Sequence, residues 1–124
     1  MANPIYVTYE APKELSEKAY LAVEAARDSG KIHKGANEVT KRVERSQAKL
    51  VVMALDISPP EIMAHMPMLC AEKQIPYTYV PSKEELGKAS GLKVPTSAVA
   101  ISNIGKKKAS LEEVTKAITA AQKA

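Results

Sequence analysis

Lys34, Asn37, Glu38, Lys41 and Arg45 lie within the segment KGANEVTKRVER, at spacings that a helix gathers onto one side. At about 100° per residue they share an arc of roughly 100°, while Ala36, Val39 and Val43 fall on the opposite side. Lysine and arginine on such a stripe hold phosphates, which supplies affinity without base information. Glu38 does not fit a purely phosphate-binding face, because a carboxylate is repelled by phosphates. It needs either a cation within the helix, with Lys41 and Arg42 three and four residues on, or a donor on the ligand. Guanine offers N1–H and the N2 amine as donors, and a sheared G·A pair leaves the guanine Watson–Crick edge free. Asn37 and Lys41 would then serve the O6 or N7 acceptors. The residue types favour a non-Watson–Crick RNA element, with a solvated, internally paired helix face as the alternative.

The charge distribution agrees. Between Lys31 and Lys49 stand six cations, Lys31, Lys34, Lys41, Arg42, Arg45 and Lys49, against Glu38 and Glu44, so the local excess equals the formal +4 of the whole chain. A footprint this concentrated points to a polyanion.

Other residues capable of chemistry find simpler readings. GKIHKG, from Gly30 to Gly35, has the glycine spacing of a phosphate loop, but Ala36 and Asn37 stand where Lys and Ser or Thr are required. His33 and His65 are the only histidines, and His65, on a mostly apolar helix, is expected to be a buried or half-buried structural residue. Cys70 is expected to be a small core residue. The pairs Glu84 with Glu85 and Glu112 with Glu113 sit in first helical turns, where the dipole favours carboxylates without acid–base work. Met63, Met66 and Met68 read as packing residues, with part of an exposed apolar patch as the alternative. Five tyrosines, at 6, 9, 20, 77 and 79, are too scattered for a stacking platform. No cofactor and no metal site are expected.

The elements that position the stripe follow from periodicity and punctuation. Leu15, Ala19, Ala22, Val23 and Ala26 predict a helix from about Pro12 to Ser29, ended by Gly30. A short extended piece from Lys31 to His33 leads into the stripe helix, roughly Gly35 to Ser46. Leu50 to Leu55 is a continuous apolar run that predicts a buried central strand. Ser58 with Glu61, and Pro59 and Pro60, predict the start of a third helix, which Pro67 should kink or split. IPYTYV predicts a strand, Ser82 with Glu85 a capped short helix ending near Ser90 and Gly91, SAVAIS another strand, and Ser110 with Glu113 a last helix through Gln122. The lysines 106 to 108 are expected in an exposed turn. Helices alternating with short apolar strands imply an α/β sandwich whose central sheet is covered on both faces.

A chain of 124 residues with 45% hydrophobic content suits one domain with one core, spanning residues 1–124. The N-terminal residues lack the pattern of a signal peptide and no apolar run is long enough to span a bilayer, so no membrane association is expected. A lone cysteine excludes an internal disulfide and fits a reducing compartment, and a cytoplasmic location is expected.

KGANEVTK at Lys34 to Lys41, VVMALDISPPEIMAHMPMLCAEKQIPY at Val51 to Tyr77 and ELGKASGLKVP at Glu85 to Pro95 resemble the L-seven-Ae family of ribosomal and kink-turn RNA-binding proteins, most closely its archaeal members. The resemblance spans almost the whole chain. It implies a three-layer α/β/α domain with a small mixed central sheet that binds kink-turns and kink-loops in ribosomal RNA and in box C/D and H/ACA guide RNAs. Other ribonucleoprotein proteins are implied partners, a tRNA-processing particle, RNase P, is a further setting, and the free protein is expected to be a monomer. Carried over by position, Gly35 would admit the RNA backbone, Asn37, Glu38 and Lys41 would contact tandem sheared G·A pairs, and Lys34 and Arg45 would hold phosphates. Leu92, Lys93 and Val94 would touch nucleotides flipped out at the kink, as suits apolar groups against unstacked bases; read alone, the same loop would more often face the core. One departure stands out: many relatives carry an acidic residue followed by Asp after the central strand, where this chain has Leu55 and Asp56.

Three functions are thus in play. The leading one is a noncatalytic RNA-binding ribosomal protein. An α/β enzyme acting on a nucleotide would need catalytic carboxylates or a phosphate loop that the sequence does not offer, and a basic protein-interaction module would need an acidic partner.

Overall fold

The computed structural model describes residues 13–56, 65–103, 105–106 and 108–123. The chain order is α1 (Lys13–Ser29), β1 (Lys31–Lys34), α2 (Ala36–Glu44), β2 (Leu50–Ala54), α3 (Met66–Glu72), β3 (Tyr77–Val80), α4 (Lys83–Ala89), β4 (Ala98–Asn103) and α5 (Lys108–Lys123). The four strands form one mixed sheet in the order β1-β4-β2-β3. β4 runs antiparallel to both β1 and β2, and β3 runs parallel to β2.

Burial explains the layering. Every residue of β2 and β3 is buried, as are Ala98, Val99, Ala100 and Ile101 of β4, so neither face of the central strands reaches water. Successive side chains of a strand point to opposite faces, and both faces must therefore be covered by helices. α1 packs against α5 and α4, and α2 packs against α3 as well as β1 and β4. The result is the α/β/α sandwich that the alternation of elements predicts. Leu15, Ala19, Ala22, Val23 and Ala26 are at most 2% exposed, which confirms the face assigned to the first helix.

Helix ends show where local chemistry is sufficient. Ser82 Oγ accepts from the Glu85 backbone N–H at 3.2 Å, the predicted cap of α4. α2, α3 and α4 all terminate in the same way, with a residue in the left-handed region, Ser46, Gln74 or Gly91. In α2 the Ser46 N–H donates to the Val43 carbonyl and the Gln47 N–H to the Arg42 carbonyl, at 2.9 and 2.8 Å. This paired closure satisfies carbonyls that the helix itself leaves free.

Some expectations need correction. α5 is already helical at Lys108, so Ser110 and Glu113 lie inside the helix and do not cap it, and of the lysine triplet Lys106 lies in the turn while Lys108 begins the helix. The predicted start of the third helix at Ser58, with Met63, lies outside the described residues. Pro67 falls in the first turn of α3, where its missing N–H leaves no bond unmade. α2 is shorter than predicted, with Gly35 and Arg45 as its flanking caps.

Candidate nucleic-acid interface

β1 aims the chain into α2. Lys34, its last residue, is paired with Val99, and the Gly35 N–H donates to the Ala98 carbonyl at 2.9 Å. Gly35 turns the chain with φ 96° and ψ 147°, a conformation that side-chain-bearing residues rarely adopt. A Cβ here would meet nothing within 4 Å, so the glycine is required by the backbone, and the space beside it is open. α2 then buries Val39 and Val43 completely, with Ala36 packed against the core. Lys34, Asn37, Lys41 and Arg45 are consequently exposed and Glu38 is partly exposed.

Glu38 has the intrahelical cation that the internally paired alternative required, and it is Arg42. Arg42 Nη2 donates to Glu38 Oε1 at 3.1 Å, one helical turn on, and Arg42 Nη1 donates to Gln47 Oε1 at 2.9 Å. His33 Nδ1 lies 3.8 Å from the same Glu38 oxygen. The Arg42 hydrogen bond, reinforced by the charges of Arg42 and Lys41, holds the Glu38 carboxyl below its ordinary range and keeps it ionised. His33 is nine-tenths covered, and burial together with Arg42 and Lys31 lowers its pKa. Its Nε2 lies 3.2 Å from Ser102 Oγ on β4. The face is thus a neutral imidazole, an ionised acceptor and a set of cations around the first turns of a helix, whose free N–H groups add anion attraction.

The second candidate segment, Gly91 to Pro95, leads into the same end of β4. Val94 is 62% exposed and Lys93 is exposed, whereas Leu92 is half-buried. Val94 is therefore not directed into the core. The loop is held by backbone contacts: the Leu92 N–H donates to the Gly87 carbonyl at 2.8 Å and the Thr96 N–H to the Lys83 carbonyl at 3.2 Å. Gly87 permits this, since a Cβ there would collide with the Val94 carbonyl oxygen and lie 3.2 Å from Pro95 Cα. A shallow pocket lined by Glu84, Lys88, Leu92, Lys93, Val94 and Pro95 opens beside the loop.

Two side chains take places that sequence reasoning did not give them, and a third takes one it had offered. Asp56, alone after β2, accepts from the Lys83 N–H at 2.8 Å and so ties the turn after β2 to the start of α4. His65 is exposed, contrary to expectation, and its Nε2 lies 3.1 Å from Thr40 Oγ1, which links α3 to α2. Arg42 is the partner of Glu38 that the four-residue spacing had offered. Among groups with catalytic potential, the Cys70 thiol is buried and its pKa is pushed up to about 12, which makes it inert as a nucleophile. Met66 is buried and Met68 is 77% exposed.

Fold and face together define a class: a three-layer α/β domain that displays a basic helix face and a loop with an exposed valine, Val94, at one end of its sheet. Residues 17–111 match the Ribosomal protein L7Ae/L30e/S12e/Gadd45 family. Among solved structures, the Giardia lamblia 15.5kD RNA binding protein superposes with a TM-score of 0.79 at 33% identity, covering 98% of this chain and 98% of that one. The chain belongs to the L7Ae/L30e/S12e/Gadd45 family.

Proposed function

We propose that this protein is a noncatalytic RNA-binding ribosomal protein, of the archaeal large-subunit type, that recognises kink-turn and kink-loop RNA through tandem sheared G·A pairs. One observation carries the reading. An ionised carboxylate and an amide, Glu38 and Asn37, share the outward side of α2 with Lys41, and Lys34 at the end of β1 stands just before them across an open glycine turn. Lysines alone would bind any phosphate backbone, whereas an acceptor kept ionised among them suits exposed guanine N–H donors. The family supports the reading, as does the RNA-binding protein that the chain resembles in structure.

In this reading Asn37, Glu38 and Lys41 read the G·A pairs, Lys34 and Arg45 hold phosphates, Gly35 leaves room for the backbone, and Leu92, Lys93 and Val94 pack on flipped-out nucleotides. The protein acts by population shift: binding only the kinked RNA, it draws the RNA into that state. Ribosomal RNA, box C/D and H/ACA guide RNAs and RNase P are the proposed settings, with other ribonucleoprotein proteins as partners and a cytoplasmic location.

The test is an equilibrium titration against an RNA with tandem G·A pairs beside a three-nucleotide bulge, with and without magnesium. Tight, magnesium-independent binding that is lost when Watson–Crick pairs replace the G·A pairs is expected. Equal affinity for the two RNAs would reduce the face to a generic basic patch.

A further inference from the structure

Glu38 can read a base only if its carboxylate stands in one orientation before RNA arrives, and a lone glutamate on an exposed helix face has several rotamers to lose. Arg42 removes that freedom. Its guanidinium is tethered at both ends, by Nη2 to Glu38 Oε1 at 3.1 Å and by Nη1 to Gln47 Oε1 at 2.9 Å. The main chain of Gln47 is anchored beside it, because its backbone N–H closes the C-terminal end of α2 on the Arg42 carbonyl. The arginine is partly buried, and its Nε is covered without a hydrogen-bond partner among the described residues. The fork is thus bonded at both ends, to Glu38 and to Gln47. With His33 kept neutral by burial and by the neighbouring Arg42 and Lys31, the cation bonded to Glu38 is the arginine.

The latch leaves the reading surface free. Only Oε1 of Glu38 is engaged, and Oε2 has no partner among the described residues. An ionised carboxylate accepts through both oxygens and more than once at each, so Glu38 can receive guanine donors while Arg42 stays bound.

Resting on the RNA-binding reading above, we infer that Arg42 is a positioning residue for base discrimination: it holds the Glu38 carboxylate oriented for guanine, and does not itself contact the RNA bases. The consequence differs from that of an ordinary cation on the face. Removing Arg45 or Lys34 weakens every RNA alike, whereas removing Arg42 lowers the ratio of affinities for G·A and Watson–Crick RNAs.

The experiment measures that ratio for the full chain as wild type, Arg42→Ala, Arg42→Lys, Glu38→Ala and the Glu38→Ala/Arg42→Ala double variant, with thermal melts to establish folding. Arg42→Ala is expected to lower the ratio by about tenfold, and Arg42→Lys, which keeps charge but loses the two-ended fork, to restore only part of it. In the Glu38→Ala background the second substitution should leave the ratio unchanged, because Arg42 acts through Glu38. A ratio in folded Arg42→Ala or Arg42→Lys equal to wild type would overturn the inference, as would full additivity in the double variant. A wild-type protein without discrimination would instead remove the RNA reading on which the inference rests.

Discussion

The α2 face and the Gly91–Pro95 loop meet at the start of β4, yet they are built by opposite means. The α2 face is positioned by side chains: Arg42 grips Glu38 and Gln47, and Thr40 meets His65. The loop is positioned by backbone, with Gly87 letting the chain pass against α4 and peptide hydrogen bonds fixing Leu92 and Thr96. The first surface presents charge and directed acceptors, the second an apolar group, Val94, in water. A polar reader needs its donors and acceptors oriented, which takes neighbouring side chains. An apolar contact is non-directional and needs only its chain held at the right height.

Loss of the directed acceptor should have the largest effect. Glu38→Ala makes the protein more positive, and a generic basic face would bind RNA more tightly; the expected result is a roughly tenfold to hundredfold loss for G·A RNA, larger than for Lys106→Ala in the exposed turn. Filter or fluorescence titration decides it, and stronger binding by Glu38→Ala would remove its reading role.

Gly87→Ala attacks the loop's support. The added methyl meets the Val94 carbonyl, and urea unfolding should show a loss of about 1–3 kcal/mol. If the two regions are separable, the folded variant keeps its preference for G·A over Watson–Crick pairs and changes its preference among nucleotides flipped out at the kink.

A milder contrast comes from salt. Val94→Ala should weaken binding about threefold through lost apolar contact and leave the slope of log affinity against log salt unchanged. Arg45→Ala should lower that slope by about one. Equal slopes for the two variants would mean that Arg45 holds no phosphate.

The smallest effect concerns His33. Its pKa lies below the ordinary 6.5 in the fold, through burial, Arg42 and Lys31, against the opposing charge of Glu38. The unfolded chain therefore takes up a proton first, and the folded state loses stability as pH falls below about 6.5. Glu38, also held low, acts in the same direction but at lower pH: its stabilisation is complete above its unfolded value near 4.5 and is lost only as pH falls through the lowered one. The urea midpoint should thus decline between about pH 7 and pH 5, and His33→Gln should flatten that decline. An unchanged slope in the variant would show that His33 does not carry it.

Much of this was legible from residue order. The valines of α2, the apolar run of β2 and the Ser82 cap follow from helical period, burial on two faces and a side chain three residues from its backbone donor. These are short-range matters, decided within a turn or two of chain. Spacing alone could not choose between Lys41 and Arg42 as the partner of Glu38, because both are within one helical turn. The choice fell to Arg42, whose other arm is held by Gln47 beyond the helix end. Nor could it place His65 against Thr40, 25 residues away in sequence, or Asp56 against Lys83, 27 away. The exposure of Val94 depended on how closely α4 and its following loop approach at Gly87. Sequence determined which face of each element is apolar, since that is a period. Only the packed structure decided which polar groups from distant elements come within hydrogen-bond distance of one another, since that depends on how the elements stack.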